Sequence, residues 1–572
     1  MKHDLVIRNG TLADGTGSPL RTADVAIAGG RIAEVGAVSG SGAEEIDARG
    51  LLVTPGFVDI HTHYDGQATW GSRLAPSSWH GVTTVVMGNC GVGFAPCRRE
   101  DHDTLIRLME GVEDIPGAVL AEGLPWNWET FPEFLDSLAT RRCDVDFAAQ
   151  LPHAALRVYV MGKRGADREP ATAADIAAMA GIAAEAVEAG ALGFSTSRTL
   201  NHRSSDGQPT PTLTAAEDEL LGIARALGAA GKGVLQFVSD FTDSEREMAM
   251  LRRLVEASGR PLSVSLVQNE MSPNGWRKLL GWIDEAAASG LPMRAQVAGR
   301  PVGLMFGFEA TLNPFCTHPS WRELAALPLA AKLARLRDPA FRAQMLAEAP
   351  GSNAPFLVQV LQNFEKMFVL GDPPDYEQPR DRSIGARARA RGIAPHELAF
   401  DEMLADDGRG MLYFPFLNYA EGNLDPSLAM MSSPNTVLGL GDGGAHLGTI
   451  CDASFSTHML THWTRDRSRG ERIPVETVVR WHARDTAEAV GLFDRGQLRP
   501  GYRADLNVID YDRLCLRPPR IVHDLPAGGR RLVQDAEGYR VAIVGGEITY
   551  RDGAPTEALP GRLVRGARPA PA

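Results

Sequence analysis

Residues 56–63 read GFVDIHTH, an apolar run that ends in two histidines. In an extended chain successive side chains alternate, so His61 and His63 fall on one side. Such a pair can hold a metal ion or be a satisfied structural pair, and spacing alone weighs the two equally. Position shifts the balance, because the C-terminal end of a first parallel strand is where α/β barrels keep their chemistry. Reading outward, further apolar runs occupy 83–88, 146–153, 192–196, 233–238, 262–266, 293–297 and 436–441. Ala- and Leu-rich stretches of helical pattern separate several of them, clearest at 172–189, 215–230, 244–258 and 276–289. This alternation predicts βα units closed into a (β/α)8 barrel. The interval 299–435 is too long for a bare loop, so a helical insertion between strands 7 and 8 is expected over the barrel mouth.

The two ends of the chain differ from the middle. Residues 4–17, 23–36 and 44–56 alternate apolar and polar side chains between Gly-rich turns, and 501–512 and 540–553 repeat that style. A small β-sandwich assembled from both termini follows, giving residues 1–55 plus 485–572 as one domain and 56–484 as the barrel. The 572 residues carry 58 Lys+Arg against 71 Asp+Glu, a net charge of −13, which excludes a nucleic-acid binder built on a basic face. No stretch approaches the length of a membrane span and the N-terminus lacks an export signal's apolar core, so a cytoplasmic protein without membrane association is expected. The six cysteines are sparse and irregularly spaced, unlike a disulfide framework. Arg greatly outnumbers the six Lys and Ala is abundant, a composition suggesting a GC-rich bacterial genome. No repeat or heptad fixes a subunit number, and a homo-oligomer is left open.

Two further segments carry chemistry. Residues 83–91 read TTVVMGNCG, which puts Cys90 in a Gly-rich bend past strand 2. A free cysteine is usually buried and inert, but one beside an H-x-H can complete a metal site. Residues 436–446 read TVLGLGDGGAH, projecting Asp442 from an apolar strand into a glycine turn, with His446 four residues on. Asp442 can bind metal or accept a proton; alone, it is also an ordinary turn aspartate.

Together GFVDIHTHYDGQ (56–67), GVTTVVMGNCGVGFAP (81–96), GDGGAH (441–446) and RPGYRADLNVID (499–510) resemble the amidohydrolase superfamily, specifically its D-aminoacylase (N-acyl-D-amino-acid deacylase) branch. The resemblance runs through nearly the whole chain in segment order, the insertion being least similar. G-N-C-G is the most branch-specific piece, since most of the superfamily bridges its metals with a carboxylated Lys or a Glu. The resemblance implies a distorted (β/α)8 TIM barrel with a small β-sandwich domain formed by both chain ends, and supports the count of eight strands. It implies zinc bound by His61, His63, Cys90 and Asp442, with Asp442 also the general acid/base. Zinc lowers the pKa of its water and polarises the amide carbonyl, so that hydroxide on the metal attacks.

The chain departs from the branch on strands 5 and 6. The resemblance implies a histidine at the end of each, but here GVLQFVSD (233–240) and LSVSLVQNE (262–270) contain none. Gln236 or Val238 and then Leu266 stand in those places, so one tightly bound zinc per chain is expected rather than two. His446 and His153 are the candidates for an additional ligand. For substrate binding, Gln268 stands where the branch has a Lys that holds the amino-acid carboxylate, and Arg198 and Arg300 are the alternative cations. The aromatic residues Phe306, Phe308, Phe315, Trp321, Tyr413, Phe414, Phe416 and Tyr419 are more often an insertion's own core than a pocket. His458 and His462, spaced i, i+4, are favoured as structural. The leading function is hydrolysis of a linear amide, an N-acyl amino acid or a related hydrophobic amide. Two alternatives are a cyclic amide or imide hydrolase and a non-catalytic binding protein on the same scaffold.

Overall fold

Short apolar runs bounded by glycine form parallel strands, each followed by a return through helix. In the computed structural model, which describes residues 2–351 and 355–571, these strands are β1 (Phe57–Asp59), β2 (Val82–Met87) and β3 (Asp146–Ala149, continued past Gln150 as Leu151–Pro152). They continue as β4 (Gly193–Arg198), β5 (Val234–Ser239), β6 (Leu262–Ser265), β7 (Met293–Val297) and β8 (Thr436–Leu438). Neighbours pair in parallel in this order, β1 to β2 to β3 and then from the second part of β3 through to β8.

The hydrogen-bonded ladders do not close into the barrel the sequence led us to expect. They form a three-stranded and a six-stranded sheet. One break falls at Gln150, whose backbone N–H still donates to Met87 O at 2.9 Å. The other falls between β8 and β1, where Leu440 and Asp442 take left-handed backbone conformations (φ 61° and 46°) that end the extended strand. Across this break Asp442 N–H donates to His61 O at 3.0 Å and His63 N–H donates to Gly443 O at 2.7 Å. The ladder is therefore sacrificed where the chain turns its functional side chains inward.

The expected helices are present within a residue or two of their predicted ends. The helix Ala173–Ala189 shows why: Thr172 and Asp175 form a reciprocal capping box at its start, and Gly190 ends it at positive φ. Helix α1 (His102–Glu113), not among the expected ones, packs Leu105, Leu108, Met109 and Val112 inward. Between β7 and β8 the chain builds several helices and an antiparallel pair, Gly303–Phe306 with Leu412–Pro415. Residues 352–354, inside the interval expected to be an insertion, lie outside the described residues. Phe306, Phe308, Phe315, Trp321 and Phe414 are buried together in that segment's own core.

Strands from both chain ends join in one nine-stranded sheet, its seam being the antiparallel pairing of Leu52–Pro55 with Leu506–Ile509. Arg495 and Arg503 tie the C-terminal part to β3 through Asp146, at 2.9 and 3.0 Å. Among the described residues no helix is long and apolar enough to cross a membrane.

Candidate active site

At the C-terminal ends of β1, β2 and β8 four polar side chains converge. His61 Nε2 lies 3.2 Å from Cys90 Sγ and 3.3 Å from Asp442 Oδ1, and His63 Nε2 lies 3.6 Å from the same carboxylate oxygen. The ligand atoms of His61, His63 and Cys90 are all within 4.8 Å of one another. Four donors around a tetrahedral zinc stand roughly 3.3–3.6 Å apart, so these residues fit such an ion. Local backbone makes the approach: Cys90 and Asp442 both sit at positive φ (55° and 46°). A Cβ on Gly91 would lie 2.9 Å from Thr196 Cα, so only glycine lets the Cys90 bend press against β4.

The imidazoles are aimed from behind. His61 Nδ1 pairs with Gln296 Oε1 at 2.8 Å, and Gln296 Nε2 in turn donates to Ser263 Oγ at 2.8 Å. This chain makes Nδ1 the protonated nitrogen and leaves the Nε2 lone pair for the cluster. Glu113, on the last turn of α1, places Oε1 3.3 Å from His63 Nδ1 and Oε2 3.6 Å from His446 Nε2. Burial lowers the pKa of His61. Burial also works against a charge on His63, but Glu113 and Asp442 outweigh it and raise that ring well above the ordinary histidine value. Burial favours neutral Asp442 as well, yet its bond to His63 and the two imidazoles hold its carboxyl below the usual range. Burial pushes the Cys90 thiol up to about 12. A bound cation reverses that preference, because a coordinated thiol gives up its proton.

A model of the amidohydrolase family matches residues 44–550. The chain belongs to the amidohydrolase family. It is 27% identical to an uncharacterized protein of Mycobacterium tuberculosis over 96% of this chain and 92% of that one. It is 34% identical to the D-aminoacylase of Alcaligenes xylosoxydans xylosoxydans over 265 residues, 46% of this chain and 49% of that enzyme. A solved D-aminoacylase, described with a binuclear metal centre, superposes with TM-score 0.65 at 23% identity, over 99% of this chain and 100% of that one. Membership places the chain among hydrolases that act on carbon–nitrogen amide bonds.

The amidohydrolase uses its other candidate residues differently from the expectations. Gln236 Oε1 accepts from Cys90 N–H at 3.1 Å and so braces the Cys90 bend, while Val238 is half-buried and Leu266 lies in the apolar core. His153 has both ring nitrogens engaged, with Thr196 Oγ1 and Glu219 Oε1 at 2.8 Å each, which leaves neither for a metal. Gln268 spends its amide on Pro273 O, Glu421 and Ala420 N–H. Arg300 is buried against Asp452, Cys451 O and Ser454, with its guanidinium over Tyr376. Arg198 donates to Ala215 O and faces Glu247 at 3.5 Å. The three substrate-binding candidates are thus held by the protein's own groups. His446 is partly exposed beside Glu113, and His462 stacks on His458 at 4.6 Å while bonding Glu377.

Sequence reasoning missed Glu113 and Gln296. Glu113 stands in an ordinary EGVED run and Gln296 in a strand read only as apolar. Neither belongs to a motif; the one available signal was a lone polar residue on an otherwise inward face.

Proposed function

We propose that this chain is a metal-dependent amidohydrolase that cleaves a linear amide, an N-acyl amino acid or a related amide with a hydrophobic portion. The convergence of His61, His63, Cys90 and Asp442 carries the reading. A zinc ion held there would polarise the amide carbonyl and acidify water. Gln296 fixes the His61 ring by a hydrogen bond and Glu113 faces His63 Nδ1 at ion-pair distance, so the ligands need little rearrangement on binding. Asp442, kept ionised by its histidine neighbours, takes the proton of the attacking water and hands it to the leaving nitrogen. Water adds across the C–N bond, giving a carboxylic acid and an amine.

One zinc per chain is the proposed stoichiometry. Among the described residues the one group of three His, Cys, Asp or Glu side chains able to hold a metal is His61, His63 and Cys90. With Gln268, Arg198 and Arg300 committed internally, recognition rests on the apolar portion of the substrate more than on a carboxylate. Elemental analysis of chelator-free protein, paired with an N-acyl amino acid panel, tests this. The expectation is about one zinc and amide cleavage lost in Asp442→Asn. A zinc-loaded protein inert on the whole panel, or two tightly held ions, would overturn the corresponding part.

A further inference from the structure

Ser197, near the end of β4, pairs its Oγ with His202 Nδ1 at 2.8 Å. Among the described residues the Ser197 hydroxyl has no other partner and can donate to Nδ1, the arrangement in which His202 carries its own proton on Nε2. That second nitrogen has no protein partner among the described residues.

The backbone on either side of His202 packs against the elements that carry the candidate centre. On one side, a Cβ on Gly91, the residue after Cys90, would meet Ser197 N at 3.1 Å, so Ser197 lies directly against the Cys90 bend. On the other, Gly111 is in backbone contact with Arg203 and Ser204, which seats the turn after His202 on α1 two residues before Glu113. The turn is pinned within itself by Thr210 N–H to His202 O at 3.0 Å and Thr212 Oγ1 to Ser197 O at 2.6 Å, and to α1 by Ser205 N–H to Arg107 O at 2.8 Å. Burial, with the imidazoles of His446 and His63 next, pushes the His202 pKa down to about 3, so the ring stays neutral. Asp442 and His61 are the further groups that act on it.

We propose that His202 is a catalytic residue whose Nε2–H donates to the carbonyl oxygen of the scissile amide as negative charge develops on it, with Ser197 as the positioning residue that fixes the tautomer. This rests on the hydrolase reading above. A neutral, preorganised donor suits the role because it stabilises developing charge without surrendering its proton.

Three variants, assayed as zinc-loaded full-length protein, test it. His202→Ala should lower kcat about 100-fold with KM nearly unchanged and zinc content intact. His202→Gln, which restores a neutral N–H donor, should recover part of that loss, which a merely structural role would not produce. Ser197→Ala should lower kcat about 10-fold and release the tautomer, read by nitrogen NMR of the ring. Wild-type kcat/KM in His202→Ala, an Nδ1–H tautomer in the wild type, or zinc loss in His202→Ala would each overturn the assignment while leaving the hydrolase reading in place. A zinc-loaded wild type without amidase activity would overturn both.

Discussion

His61 and His63 are neighbours in sequence, but the groups that aim them, Gln296 and Glu113, come from β7 and the end of α1. That separation makes their contributions testable one at a time. Removing an outer partner of a metal-ligating histidine weakens metal affinity by about 10–100-fold. Glu113→Gln should therefore lose zinc to a competing chromophoric chelator in that range; unchanged affinity would mean the carboxylate only balances charge. Asp442→Asn keeps the shape of the side chain and removes its basicity. We expect kcat to fall by roughly 10²–10⁴-fold, and a pH–rate profile to lose its acid limb. Retention of that limb would assign the base elsewhere.

At the scale of elements, the helix Glu217–Ala230 is joined to β3 and its following helix by a buried trio. Glu219 accepts from His153 at 2.8 Å and faces Arg157 at 3.5 Å, all three nearly inaccessible. Burial alone would keep Glu219 neutral, but the His153 bond outweighs it and holds its pKa below the ordinary value. Deleting one member leaves buried charge unpaired at a cost of about 3–5 kcal/mol. Glu219→Leu should lower the urea midpoint accordingly, while zinc content in the surviving native protein stays at the wild-type level. A loss of zinc with unchanged stability would return His153 to the metal. The spacing of βα units placed His153 at a strand end, where metal ligands also sit; only the approach of the later helix decides that it is a structural partner.

At the scale of the whole molecule, His80 and His482 are buried imidazoles kept neutral. Burial pushes His80 down to about 4 and His482, packed between Phe57 and Phe455, down to about 3. In the unfolded chain these rings titrate near 6.5. Between that value and the folded one, the unfolded state binds protons that the native state refuses. Their stabilising effect is therefore full above about pH 6.5 and is lost as pH falls through the folded values, up to about 1.4 kcal/mol per pH unit for each ring. Metal-stripped protein should lose unfolding free energy between pH 7.5 and 5.0, and His482→Gln should lose less over the same interval. Equal pH slopes for variant and parent would show that His482 does not drive the acid sensitivity.

The sequence by itself determined the parallel α/β plan and the pairing of the two chain ends, which depend on short-range periodicity and glycine turns visible in a few residues at a time. Its resemblance to the D-aminoacylase branch singled out His61, His63, Cys90 and Asp442, whose side chains the structure brings together. Only the tertiary structure decided that the strand ladders part at Gln150 and beyond β8, because left-handed turns at Leu440 and Asp442 are set by packing as well as by residue type. It also decided which polar residues serve the site. Gln268, Arg198, Arg300 and His153 had the right chemistry for ligands or substrate, yet each is bonded to a group distant in the chain. Glu113, Gln296 and His202 had no motif at all. A side chain's role follows from what its polar atoms face, and that is fixed by contacts between segments far apart in sequence, which no local pattern encodes.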